Sequence, residues 1–329
     1  MKILGANDNL RNCQVTATIG MFDGMHRGHI TLINALKQEA LARHQSSAIF
    51  TFKQHPQQVL NPGGSPRAIM TLDKKTQAIV ATDPSYLVLL DFDKKLAQLT
   101  AREFMEMMHD QFGVRTLVMG YNHRFGHERN TTFGYYVEVG KEVGIEVVKA
   151  PEYLGEYAPV SSSIVRQLIA GGRVEDAMNC MGHPFELAGK VIHGFHNGRG
   201  IGFPTANVGA LAPSIILPHK GAYAVMVKVE DKWYQGMVNI GSRPTLDNGD
   251  AISIEVNIFD FDDDIYGKCI TLHFVRFLRL EFKMVSIEQL REQLTHDKQL
   301  SRQILDNYIS KTIIKMRLSE TKPSMLEAL

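Results

Sequence analysis

Between residues 15 and 148 short apolar runs alternate with amphipathic segments, and this rhythm restricts the fold more than any other feature of the chain. Residues 15–19, 48–52, 86–90, 116–119 and 145–148 have the length and branched content of strands. The stretches between them predict helices over about 26–43, 71–82, 100–113 and 135–143. In the first, Ile30, Ile33, Leu36, Ala40 and Leu41 fall near helical spacing. Thr100 with Glu103 makes a capping box, and Gly113 supplies a stop. Strands separated by helices of this length predict an α/β, doubly wound parallel sheet.

The pattern then changes. Helical stretches over 163–170 and from Val174 lead to Gly182-His183-Pro184, and from 189 to 282 the period falls to two. Val225, Val227 and Val229 alternate with Met226 and Lys228; Ile252, Ile254, Val256 and Ile258 alternate with Ser253, Glu255 and Asn257. Ile270, Leu272 and Phe274 do the same against Thr271 and His273. Short strands with glycine turns predict a small antiparallel β-barrel. Ser286 and Gln289 cap a closing helix with Leu290, Leu294 and Leu300 on its apolar side, and 311–329 is a weak amphipathic tail. The 329 residues suffice for two such domains, with boundaries at 1–183, 184–310 and 311–329.

Composition removes several function classes. The net charge is +1, and lysines and arginines are dispersed, so no basic field points to nucleic acid. Cys13, Cys180 and Cys269 form no CxxC pair, which argues for a reducing compartment. The N-terminus lacks a signal-peptide core, and no apolar run approaches the roughly 18 residues of a membrane span. A cytoplasmic protein without a membrane partner is expected; its oligomeric state is not set by these features.

Two stretches carry chemistry. In Gly198-Arg199-Gly200-Ile201-Gly202-Phe203-Pro204-Thr205-Ala206-Asn207, alternate glycines clear space for a bulky ligand, and Pro204 fixes φ. Thr205 and Asn207 then offer hard oxygens, the parts of a phosphate–magnesium site. Read alone, the same stretch is more often a tight loop between strands, as glycine-rich segments in general are. In the second, the loop Gly20-Met21-Phe22-Asp23-Gly24 leads into His26-Arg27-Gly28-His29. Histidines at i and i+3 share a helical face, and at a helix start they join free N–H groups as a phosphate clamp. A zinc pair competes, but no third ligand sits at the spacing it needs. Ser161-Ser162-Ser163 with Arg166 is either a further anion-holding helix start or a plain N-cap. No G-x-x-x-x-G-K-[ST] occurs, and the glycine-rich stretch is not G-x-G-x-x-G, which excludes P-loop and dinucleotide-fold readings.

The loop with His26 and His29 resembles the H-x-G-H signature of the nucleotidylyltransferase superfamily. More narrowly, it is similar to the FMN adenylyltransferase half of the prokaryotic bifunctional riboflavin kinase/FAD synthetases. The stretch 198–207 resembles that family's G-R-x-x-G-F-P-T-A-N signature, in the same order and at its spacing over residues 14–300. The resemblance implies phosphorylation of riboflavin to FMN, then adenylylation of FMN to FAD, with ATP, riboflavin, FMN and Mg²⁺ as ligands. It implies catalytic roles for His26, His29 and, as base, Glu255 in Ile254-Glu255-Val256-Asn257. It places ATP phosphates at Gly20, Phe22, Asp23, Gly28, Ser161, Ser162, Ser163, Arg166, Gly198, Gly200, Gly202 and Pro204, and the metal at Thr205 and Asn207. Flavin contacts fall on Asn122, Phe125, Arg243 in Asn239-Ile240-Gly241-Ser242-Arg243, and Arg279. Departures stand at His123, at Phe52-Lys53-Gln54-His55-Pro56, at Arg173 and at Asn257, where Phe, a second Pro, Asp and His are usual. A relative with one working site and a flavin-binding regulator are the alternatives.

Overall fold

The computed structural model describes residues 1–61, 63–120, 123–128, 131–193, 202–209, 211–244, 250–281 and 286–320, with the side chains of 243, 244, 250, 251 and 315–320 excepted. Asn122, Gly198 and Gly200 lie outside the described residues, as does the side chain of Arg243. The chain forms two compact units, Met1–Arg166 with Cys180–Gly182, and Gln167–Asn179 with His183–Leu329.

The first unit is built on six parallel strands: β1 (Lys2–Gly5), β2 (Val15–Ile19), β3 (Ser46–Phe52), β4 (Tyr86–Leu90), β5 (Val114–Met119) and β6 (Glu146–Lys149). Between them run α1 (Arg27–Ala42), α2 (Pro56–Leu60), α3 (Leu72–Val80), α4 (Lys94–Gln98), α5 (Ala101–Phe112) and α6 (Phe133–Val143). The strand order is β1-β4-β3-β2-β5-β6. Both faces are covered, because neighbouring residues of a strand point opposite ways. Ile49 packs with Ile33, Leu36 and Ile79, whereas Phe50 packs with Phe104, Phe112 and Tyr136. The order reverses between β2 and β5, and open α/β sheets bind ligands beyond the strand ends at such a point. The loop leaving β2 carries the paired histidines.

Local signals worked as expected. Thr100 and Glu103 exchange both capping-box bonds, and Gly113 ends α5 in the left-handed region. On α1 the buried stripe is Leu32, Ile33, Leu36 and Ala40, while Ile30 and Leu41 are exposed. A helical period is satisfied by adjacent stripes, and only the sheet beneath selects one. The short elements β1, α2 and α4 carry too few residues for a period to show.

After α7 (Ser162–Ala170) and α8 (Val174–Met181), the second unit is a closed antiparallel barrel. It comprises β7 (Phe185–Ile192), β8 (Ala206–Gly209), β9 (Gly221–Val229), β10 (Lys232–Pro244), β11 (Asp250–Ile258) and β12 (Cys269–Arg279), joined in the order β10-β11-β8-β7-β12-β9. In β7, Phe185, Leu187, Gly189 and Val191 are buried and alternate with more exposed residues. The closing helix α9 (Ile287–Glu320) packs Leu305 on Ala224, Met226 and Val275, and Leu294 near Phe203, Met237 and Phe259. It continues through residues 311–320, the first part of the expected tail. Among the described residues no helix is long and apolar enough to cross a membrane.

Candidate active sites

The loop from β2 to α1 turns sharply. Phe22 (φ 50°), Gly24 (φ 81°) and Met25 (φ 35°) all hold left-handed backbone. Phe22 and Met25 are buried, so core packing offsets the strain of their conformations. A Cβ on Gly24 would stand 2.8 Å from Ile69 Cδ1, which keeps that position glycine. The Gly20 N–H donates to Phe50 O at 3.1 Å, tying the loop to β3.

This turn sets His26 at the N-cap of α1, where its Nδ1 accepts from the His29 N–H at 3.3 Å. The two rings stack with centroids 3.6 Å apart and planes 17° apart, and Gly28 leaves room for the ring of His26. Because Nδ1 accepts, neutral His26 carries its proton on Nε2 and presents a donor. Burial, aided by Arg166, lowers the His26 pKa to about 4. His29 is driven well below 6.5 by burial, then by His26, His123 and Lys75. Both are therefore neutral donors at neutral pH beside the positive end of a helix.

Asp23 ties the loop to its surroundings. Its carboxylate accepts from the N–H groups of Ile69 (3.0 Å) and Met70 (3.2 Å) and pairs with the Arg166 guanidinium at 2.9 Å. Arg166 also donates from Nε to Arg67 O at 2.9 Å, and Ser162 Oγ donates to Asp23 O at 2.8 Å. Ser161 Oγ accepts from the Ile164 N–H, so it does act as an N-cap; Ser163 is exposed. Asp23 and Arg166, both expected near phosphate, thus bind one another.

Two further groups join this site, His55 from the motif with the departing proline and Lys75, which no motif singled out. His55 caps α2 with Nδ1 accepting from the Gln57 N–H at 3.2 Å, and burial, then Arg166, lowers its pKa. Buried Lys75 donates to Phe52 O at 2.6 Å; desolvation lowers its pKa to about 8, against the pull of Asp23. Lys75 sits among Asp73, Lys74 and Thr76, so nothing local marked it, and only folding shows that it and His55 converge. Phe125 stacks on Tyr136 (4.7 Å between centroids), whose hydroxyl accepts from the Phe125 N–H and donates to its carbonyl. His29 Nδ1 and His123 Nε2 are buried with no hydrogen-bond partner.

The barrel site is a row across three strands. Glu255 on β11 lies directly opposite Asn207 on β8 and Asn239 on β10, so the three share a face. Asn239 was legible as part of a motif, not as a neighbour of Glu255. The last two residues of the expected phosphate loop, Ala206 and Asn207, belong to strand β8, which is what brings Asn207 into register. Continuing that register puts Asn257 beside Thr205, and Asn257 Nδ2 donates to Pro204 O at 2.6 Å. Gly202 has φ 83°, and Phe203 packs on Met237 and Phe259. A cavity of ≈ 490 Å³ lies at Pro204 and Thr205, lined also by Val256, Phe261, Ile265 and Tyr266.

Arg279 grips buried Asp297 of α9 through Nε (2.9 Å) and Nη2 (2.8 Å), anchoring the helix to β12. Arg243 lies on β10 opposite Ala251. Among the described residues no group of three His, Cys, Asp or Glu side chains suits a metal ion, so nothing supports the zinc reading of His26 and His29.

Comparison with known proteins divides the chain in the same way. The family model described as FAD synthetase matches residues 8–164, and that described as riboflavin kinase matches 181–305. The bifunctional riboflavin kinase/FMN adenylyltransferase of Escherichia coli (strain K12) is 32% identical over 288 residues, 87% of this chain and 91% of that protein. The protein of the same name from Bacillus subtilis (strain 168) is 34% identical over 285 residues, 85% and 89% of the two chains. A crystal structure from Streptococcus pneumoniae described as a macrolide-efflux protein superposes with a TM-score of 0.83 at 30% identity, covering 91% of this chain and 98% of that one.

Proposed function

The chain belongs to the bifunctional riboflavin kinase/FMN adenylyltransferase family, and we propose that the two sites described above each carry one of its two ATP-dependent steps. The enzyme phosphorylates riboflavin to FMN, then adenylylates FMN to FAD with release of pyrophosphate. The observation that carries the assignment of sites is that each matched half contains its own built polar constellation, a stacked His26–His29 pair in one and the Asn207–Glu255–Asn239 row in the other.

In residues 1–183, His26 Nε2–H and the His29 ring would donate to the triphosphate as an FMN phosphate oxygen attacks the α-phosphorus and pyrophosphate leaves. No protein nucleophile is needed, because FMN already carries one; position and charge stabilisation suffice. Gly20, Phe22 and Gly28 shape the cradle. Asp23 and Arg166 hold it, with Ser161, Ser162 and Ser163 at the adjoining helix start. Phe125, with Asn122, would face the flavin.

In residues 184–310, Glu255 would take the proton from the ribityl 5′-hydroxyl as that oxygen attacks the γ-phosphorus and the bond to the β,γ-bridging oxygen breaks, releasing ADP. The cavity at Pro204 and Thr205 suits the nucleotide, with Phe261 and Tyr266 as apolar walls. Gly198, Gly200 and Gly202 would leave its phosphates room, while Arg243 and Arg279 would border the flavin. Thr205 and Asn207 would hold Mg²⁺. The donors there are hydroxyl, amide and carboxylate oxygens, and the buried Asn257 Oδ1 still lacks a partner, which fits a hard hydrated cation. When bound, the cation neutralises charge on the β- and γ-phosphates. A cytoplasmic setting without nucleic acid or membrane partner belongs to the same proposal, supported by the net charge of +1 and three cysteines that form no disulfide.

The test supplies riboflavin, ATP and Mg²⁺ in one tube and FMN, ATP and Mg²⁺ in another, with flavins resolved by chromatography. FMN then FAD are expected in the first, and FAD in the second. No FAD from FMN would remove the adenylylation role of the first site, and no FMN from riboflavin would remove the kinase role of the second.

A further inference from the structure

Asn257 stands two residues beyond Glu255 on β11 and is 5% exposed. Its Nδ2 donates to Pro204 O at 2.6 Å, while its Oδ1 is buried and has no hydrogen-bond partner among the described residues. Across β10 its register neighbour is Met237, which has no polar hydrogen to give. A buried acceptor left unsatisfied carries the desolvation cost of that group with nothing to offset it. Such an atom persists where the working state supplies its donor. On the β8 side the continued register places Thr205, with Asn207 and Glu255 one step along the same face.

We propose that Asn257 is a positioning residue of the kinase cation site: Nδ2 pins the Pro204–Thr205 peptide, and Oδ1 accepts a hydrogen bond from a water on the divalent cation held by Thr205 and Asn207. The inference rests on the kinase reading given above. Mg²⁺ keeps several of its waters when bound, so hydrogen-bond acceptors around it matter as much as direct ligands. One planar amide supplies both the donor that shapes the loop and the oxygen that receives the water.

The test compares Asn257→Leu and Asn257→Asp with the full-length wild-type enzyme. Two quantities are read: the Mg²⁺ concentration for half-maximal riboflavin phosphorylation, and the Mg²⁺ dependence of the thermal midpoint in the presence of ADP, which involves no turnover. Leu removes both bonds and should raise the Mg²⁺ requirement about 10–100-fold in both readouts, with FMN adenylylation unchanged as the control for folding. Asp keeps an acceptor oxygen and loses the donor to Pro204 O. It should leave the Mg²⁺ requirement near wild type while lowering kcat for phosphorylation. An unaltered Mg²⁺ requirement in Asn257→Leu overturns the proposal, and so does an equal rise in both variants, because Oδ1 would then not be the working atom. If the Leu variant does not fold, a raised requirement in Asp alone overturns it. A wild type that forms no FMN at any Mg²⁺ concentration would instead remove the kinase reading itself.

Discussion

In the first unit the groups proposed to meet phosphate are neutral imidazoles at a helix start, with Lys75 and Arg166 close by; those proposed in the barrel are amide and hydroxyl oxygens beside one carboxylate. The difference follows from the chemistry of each step. Adenylylation uses a nucleophile that is already an anion, so the protein has only to bind and neutralise charge, and donors at the end of a parallel sheet do that. Phosphorylation uses a neutral alcohol, so a base is needed, the role proposed for Glu255. Asn207, Glu255 and Asn239 are not cationic, so under the proposed function the divalent cation would bring the positive charge.

The largest expected effect tests that contrast directly. Glu255→Gln should lower riboflavin phosphorylation by about 10²–10⁴ while FMN adenylylation stays within about twofold; chromatography of both reactions reads it, and a matched loss would erase the distinction between sites. His29→Ala should do the reverse, lowering adenylylation by about 10²–10³ with FMN formation intact. A third substitution sharpens the comparison at the level of stability. Asp23→Ala removes the partner of the largely buried Arg166 guanidinium and of the Ile69 and Met70 N–H groups, and should cost the first unit about 3–5 kcal/mol. Denaturant unfolding followed by circular dichroism should show this. Fluorescence of Trp233, the sole tryptophan and a β10 residue, should leave the barrel transition in place.

The smallest effect concerns pH. His26 and His123 are held near pKa 4 in the fold, by burial in both cases and also by Arg166 for His26, against 6.5 in the unfolded chain. Between those values the unfolded chain binds protons that the fold refuses, so stability of the first unit falls as pH drops from 6.5 toward 4 and is flat above. His123→Phe should remove part of that slope. Thermal melts across the window check it, and a slope unchanged by the substitution would show that His123 is not one of the groups responsible.

Local chemistry explains what could be read from residue order. Helix caps close over three residues, as at Thr100 with Glu103 and His26 with His29, and strand alternation closes over two. The α/β half, the barrel, the turn at Gly182 and both signature loops were therefore legible, and so was the side of β11 that carries Glu255. Ile30 and Leu41 show the limit: periodicity identified a helix, but the sheet chose which stripe to bury.

Sequence by itself determined the periodicities, the caps and the presence of two phosphate-binding signatures, because each depends on neighbours a few residues apart. Tertiary structure alone decided that Asp23 would meet Arg166 from 143 residues away, that His55 and Lys75 would join the histidine pair, and that Asn239 would stand beside Glu255. It also decided that Asn257 would lie beside Thr205 with one buried oxygen still lacking a donor. Such pairings follow from strand order, register and loop closure, which sum contacts over the whole fold, and no short segment encodes them.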